Sequence, residues 1–290
     1  MDEARVVAYE WSVEVAADKF TRDIDQFADM DEMTSSHWHQ LIVAWPTETK
    51  LTANPAFASN YILGFVSLAY AKRDLATRQR FYKAISRHTW FGAASLAASH
   101  IFESGVLLWF RYSPVGELLS CNPTEEFIPW YLAPVLEIPA CGENMKFISK
   151  AEDLRHVAEY DLPVCLVPVS QTFPTADAIV LTWRFIITVQ MTVASRHDTS
   201  RIGFQRIHDG LPSAFLEART WYHVFLTDTE DKAKSLRKQQ VDPVGTKAIH
   251  VYTAFVDIDK LDSIRTFARA DTLRKDIVSR YGPYVIDTNR

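Results

Sequence analysis

Glycine is scarce in this chain: nine occur in 290 residues, and none is followed by lysine. The phosphate-cradling loop GxxxxGK[ST] is therefore missing, as is the dinucleotide turn GxGxxG, so no nucleoside triphosphate site of either kind is expected. The GxSxG elbow, the HExxH zinc helix and a cysteine-centred nucleophile signature are also absent. Cysteine is limited to Cys121, Cys141 and Cys165, with no CxxC spacing and no histidine pattern that would build a zinc site. An odd, unpatterned set predicts reduced thiols and an intracellular location, nucleus or cytoplasm. No uninterrupted apolar run approaches the length of a membrane span, and the start MDEARVVAYEW lacks the basic-then-apolar order of a secretory signal. No membrane partner is expected.

Excess positive charge is lacking too. The formal net charge is −5, which argues against a protein that coats nucleic acid by charge alone. The imbalance sits at one end: residues 1–35 hold ten acids and three bases, leaving 26 acids and 28 bases in the rest.

What is present is an ordinary globular composition, 48% apolar and 23% charged, long enough to bury a full core. Val6, Val7, Trp11, Val15, Phe20, Ile24 and Phe27 recur at roughly helical spacing, predicting one or two amphipathic helices in residues 1–35. A short buried element closed by Pro46 follows, then a polar connector to Pro55. Helices are predicted over 58–73 and 77–112, the second broken near Trp90–Gly92, with Asp74 or Thr77 as cap. From Pro114 the period becomes extended. Runs at 117–120, 127–138, 145–148, 164–169, 178–181 and 185–193 alternate with Pro, Gly and Asn, and a helix at 151–159 interrupts them. Beyond them lie a helix over 200–216, the strand WYHVFLTD, a helix capped by Thr227-x-x-Glu230, a strand over 250–258 and a helix near 261–273. Strand–helix–strand order after residue 185 favours parallel pairing with helices on the faces. The fold class is α/β (α+β mixed): a helical N-terminal region, 1–75, followed over 76–290 by a mixed sheet flanked by helices.

Within that layout Asp177 begins one strand, and Gln190 interrupts the apolar run of the next. Gln190 and Thr192, two apart, share a strand face, while Met191 points the other way. Glu103 lies inside the apolar stripe of ASHIFESGVLLWF. Carboxylates, an amide carbonyl and a hydroxyl form an oxygen-rich set that suits Mg2+ or Mn2+. In the competing reading, Asp177 merely ends a turn and Gln190 pairs with backbone. Arg201, Arg206, Lys234, Arg237 and Lys238 could meet phosphates of DNA non-specifically.

The strings SHIFE, YLAPVLEIP, FPTADAIV with ITVQMTVASRHD, and WYHVFLTDTEDKAKSLRKQ carry a resemblance to the Crinkler and retrotransposon-hot-spot (RHS) protein group. The downstream domain of that group is regarded as a PD-(D/E)XK, restriction-endonuclease-like nuclease. The resemblance covers 81–258 and rests on weak motifs in the right order. It implies that Glu103 matches the helix glutamate, Asp177 the metal-binding aspartate and Gln190 the position of a second acid, all around Mg2+ or Mn2+. The class lysine falls on Thr192, which carries no charge; Arg196 or His197, just past the strand, would take over part of its role. The resemblance further implies an intracellular effector acting on DNA, often in nuclei, with residues 1–75 a remnant of an NTPase-associated module. The alternative is a catalytically silent nuclease-like fold that binds nucleic acid or a host protein. Oligomeric state is left open.

Overall fold

The change of apolar period from helical to extended near residue 114 divides the chain's architecture. The computed structural model describes residues 3–22, 41–46, 53–57, 60–87, 92–113, 118–123, 136–158, 161–169, 173, 175–195, 199–236, 239 and 241–267. The chain forms two compact units, Met1–Ser104 with Arg265–Arg290, and Gly105–Ile264.

The first unit is mostly helical. It contains α1 (Glu3–Arg22), α2 (Asn60–Ala71), α3 (Leu75–Arg87) and the first part of α4 (Gly92–Tyr112). An antiparallel pair, β1 (Ile42–Pro46) and β2 (Ala53–Phe57), precedes α2, so residues 53–55 at the end of the expected polar connector are strand. Phe20 of α1 meets Phe81 of α3 edge-on at 5.5 Å, and Tyr70 of α2 lies 5.7 Å from the same ring. All three are fully buried, so α1 to α3 share one core. Polar ties follow the same route, with the Arg73 guanidinium held by Asp18 and donating to Thr21 Oγ1 at 3.2 Å. The expected boundary after residue 75 is therefore not where the chain divides. The fully buried aromatic contact between α1 and α3 carries the helical region past it, and the division falls inside α4. Asp74 caps α3 as expected, accepting from Thr77 N at 2.9 Å and from Thr77 Oγ1 at 2.7 Å. Those two bonds, the hydroxyl first, hold its carboxyl below the ordinary value of 3.8.

The second unit is built on an eight-stranded mixed sheet, which agrees with the expected α/β class. Its strands are β3 (Leu118–Pro123), β4 (Leu136–Pro139), β5 (Met145–Ile148), β6 (Val164–Pro168), β7 (Ala178–Leu181), β8 (Phe185–Met191), β9 (Thr220–Thr227) and β10 (Ile249–Phe255). The spatial order is β4-β3-β10-β9-β8-β7-β6-β5. The central trio β8, β9 and β10 is parallel, β7 is antiparallel to both neighbours, and β5 runs parallel to β6. Crossovers through α5 (Arg201–Gly210) with α6 (Ser213–Ala218), and through α7 (Glu230–Leu236), join the parallel strands.

The register sets which residues share a face. Gln190 is opposite Phe225, and Phe225 is opposite Thr253, so alternation places Ile186, Thr188, Gln190, Trp221, His223 and Val251 on one face. That face forms a core with Leu154, Phe204, Ile207, Phe215 and Leu216 of the covering helices, while Leu236 of α7 packs on Phe225 and Val251. Its centre holds one polar knot: Thr188 Oγ1 donates to Tyr222 O at 3.1 Å, accepts from Trp221 Nε1 at 3.2 Å and lies 3.0 Å from His223 Nδ1.

Three local expectations change. The helix predicted over 200–216 is two, because Leu211 and Pro212 are extended and Pro212 starts α6. The helix at 151–159 is a 3-10 turn over Ala151–His156. The cap of α7 is Thr229, whose Oγ1 accepts from Lys232 N at 3.4 Å; Thr227 Oγ1 instead donates to Thr229 O at 2.8 Å. The expected strand over 127–138 falls largely outside the described residues, which enter it at Leu136.

One acid response follows from the rim of this sheet. Asp161 accepts from Lys146 Nζ at 2.8 Å, and this partner holds its carboxyl below the ordinary 3.8. A depressed folded value contributes stability above the unfolded value and loses it as pH falls through the folded one. Lys146→Met is expected to flatten the fall of melting temperature below about pH 4, measured by thermal denaturation from pH 2.5 upward. An unchanged profile would show the pair idle.

Candidate functional site

Strand β7 leaves from, and strands β8, β9 and β10 arrive at, the same edge of the sheet. Asp177 stands one residue before β7, its N–H donating to Val189 O at 2.8 Å, which extends the ladder and sets it beside Gln190. Asp177 Oδ2 accepts from Met191 N at 2.7 Å and from Gln190 Nε2 at 3.1 Å. The turn into Asp177 is strained: Thr175 has φ 76°, a region β-branched residues rarely enter. Thr175 Oγ1 donates to Ser200 O at 3.0 Å, tying that turn to the residue that caps α5. Strain of this kind persists where surrounding structure over-determines it, often at functional positions.

Gln190 is 8% exposed, and its Oε1 is buried without a hydrogen-bond partner. The amide orientation is fixed by chemistry, because exchanging oxygen and nitrogen would press Oε1 against the Asp177 carboxylate. A buried acceptor left unmade costs on the order of 1–3 kcal/mol. Beside a carboxylate, such an oxygen is a place of negative potential that a hard cation would satisfy, since Mg2+ and Mn2+ take carboxylate and amide oxygens and keep several waters. Gln190 Oε1 is the atom here that such an ion would satisfy, while Asp177 Oδ2 accepts from Met191 N and Gln190 Nε2.

Thr192 continues the same face, with its N–H on Leu226 O at 2.9 Å. It is 4% exposed, and its Oγ1 accepts from Ala194 N at 3.0 Å, so it serves the turn that ends β8. Glu103 is half-buried on α4 and belongs to the first unit, whereas Asp177 and Gln190 belong to the second. Arg201 and Arg206 are exposed on α5. Lys234 is exposed on α7 and engaged with Glu230 at 3.0 Å and Asp231 at 4.0 Å, so part of its charge is neutralised locally. Arg196, His197, Arg237 and Lys238 lie outside the described residues. Among the described residues, no group of three or more His, Cys, Asp or Glu could hold a metal ion.

One feature at this end of the sheet escaped the sequence reading. Asp228, just past β9, has a side chain only 3% exposed and receives Lys232 Nζ on both oxygens at 2.7 and 2.9 Å. The i,i+4 spacing of Asp and Lys across a helix start was the available signal. The three cysteines are buried and none is in a disulfide. A hydrogen bond with Cys141 that favours the protonated thiol, then burial, pushes Cys165 well up, and burial alone does so for Cys121. No described helix is long and apolar enough to cross a membrane. No family model, curated protein or solved structure matches the chain.

Proposed function

We propose that the second unit is a divalent-cation-dependent nuclease acting on DNA, with the cation held at the sheet edge by Asp177 and Gln190. The observation that carries this reading is the buried, unpartnered Gln190 Oε1 set beside the Asp177 carboxylate. Mg2+ or Mn2+ bound there would supply Lewis acidity and an activated water for phosphodiester hydrolysis. The chain's own residues would do the holding: Met191 N and Gln190 Nε2 orient Asp177, and the Nε2 bond leaves Gln190 Oε1 for the cation. Exposed Arg201 and Arg206 would meet the phosphate backbone without reading sequence. An intracellular effector role, in nucleus or cytoplasm, belongs to the same reading.

Thr192 favours a second reading. Its buried hydroxyl is spent on Ala194 N where the resembled group has a lysine, so the chain offers no charge there to offset that developing on phosphate. In that case the edge binds a cation and nucleic acid or a host protein without cleaving.

The two readings separate in a titration of supercoiled plasmid nicking against Mg2+ and Mn2+. Gln190→Leu, which removes the amide oxygen, is expected to raise the cation concentration for half-maximal nicking by about ten-fold or more, and Gln190→Glu to lower it. Cation-stabilised melting with no nicking at any concentration supports the silent fold. Nicking indifferent to both substitutions removes Gln190 from the site.

A further inference from the structure

The opposite edge of the sheet has a different chemistry. Where β8, β9 and β10 begin, Phe185 pairs with Thr220 and Tyr222 with His250, so alternation puts the Phe185, Tyr222 and His250 rings on the face opposite Gln190. The rings form a continuous row. Phe185 meets Tyr222 edge-on at 5.2 Å, Tyr222 lies 5.6 Å from His250 at 39°, and Tyr252 closes on Tyr222 from within at 5.3 Å. Phe185 and Tyr222 are half-buried, His250 is exposed, and Tyr252 is buried beneath them. A row of rings anchored from below and open at one end is rigid before any ligand arrives.

The hairpin that feeds this row breaks a local rule. Its two loop residues are Trp183 and Arg184, whereas such loops favour Asn-Gly. Thr182 pins the turn, donating its N–H to Phe185 O at 2.9 Å and accepting Phe185 N on Oγ1 at 2.9 Å. Trp183 is thereby held 60% exposed, beside an exposed Arg184. Breaks of a local rule are expected at functional or strained positions.

Local charge bears on which partner this surface fits. The strand starts and their lead-ins, 182–185, 219–222 and 247–250, contain no Asp or Glu; Arg184 and His250 are exposed there, whereas Arg219 is buried with its Nε on Thr182 O and Lys247 donates its Nζ to Arg219 O. Farther along the same edge, Asp161 is paired with Lys146 and Glu143 is exposed just before β5. The far edge carries Asp177, Asp228 and Asp257 instead. Rings that stack bases, interleaved with cations that meet phosphates, are what single strands are read by. Stacking and phosphate contacts of this kind need no 2′-hydroxyl.

We propose that Trp183, Arg184, Phe185, Tyr222 and His250 form a base-stacking platform for single-stranded DNA, separate from the cation edge. Fluorescence anisotropy with a labelled oligo(dT) of about 20 nucleotides, in EDTA so that no cation site contributes, tests it on the full chain. Trp183→Ala and Tyr222→Leu are each expected to weaken binding about ten-fold. Arg184→Gln should lower the slope of log affinity against log salt by about 0.7. Ile202→Ala, equally exposed but on α5, should bind within about two-fold of the parent. Far-ultraviolet circular dichroism and melting confirm each variant's fold. Affinity unchanged in folded Trp183→Ala and Tyr222→Leu, or oligo(U) bound more tightly than oligo(dT), overturns the proposal. Plasmid nicking tests the Asp177 edge separately, so failure of either proposal is recognised alone.

Discussion

Asp177→Asn is expected to lose metal-dependent strand cleavage by a factor of about 10³ or more, because removing charge from a cation-holding carboxylate removes both affinity and Lewis acidity. Asparagine is the informative substitution. It keeps an oxygen that can accept Met191 N at the site now bridged at 2.7 Å, so the turn into β7 survives. Asp177→Ala should lose cleavage equally and also lose about 1–3 kcal/mol of stability, since Met191 N and Gln190 Nε2 would each be left without this acceptor. Plasmid nicking and thermal melting on both variants separate chemistry from folding. Parental nicking rates in a folded Asp177→Asn variant would end the cation reading, whatever the alanine variant does.

Gly210→Ala is expected to be clearly destabilising. A Cβ built there lies 2.2 Å from the Ala151 carbonyl oxygen and 3.3 Å from Leu154 Cδ1, so the end of α5 and the 3-10 turn would have to separate. Overpacking of this kind costs about 1–3 kcal/mol, which for a unit of this size lowers the melting temperature by roughly 2–4 °C per kcal/mol. Gly142→Ala is the contrast. Its φ is +58° with nothing within 4 Å, so its cost is backbone strain alone, about 1 kcal/mol. If the two variants melt together, close approach is not what constrains Gly210.

The pairing of Asp177 with Gln190 was legible in the sequence because both lie on consecutive strands joined by a short turn, where alternation and register are nearly forced. The parallel trio was legible for the same reason, since helices between apolar runs leave few topologies. Other features depend on contacts distant in sequence. Phe20 against Phe81 moves the first division well past residue 75, and no local pattern announces it. The platform of Phe185, Tyr222 and His250 exists only once three strands are laid in register, because each ring reads alone as half-buried sheet. Thr227 and Thr229 both satisfy a capping pattern, and only the end of β9 decides between them. Thr175 could not be foreseen at all, because its left-handed backbone opposes its own preference.

Strand β3 pairs with β10, more than a hundred residues downstream, through Tyr252↔Pro123 and Thr253↔Asn122. During synthesis β3 and β4 therefore emerge early with one side of their ladder open, and they wait until residue 255 before the sheet can close around them. A chain cut short within β10 would leave two unpaired strand edges, that of β9 and that of β3, each a template for another copy. Completion of the sheet is thus tied to completion of most of the chain, and fragments ending before it should be recovered as aggregates rather than as smaller folded units.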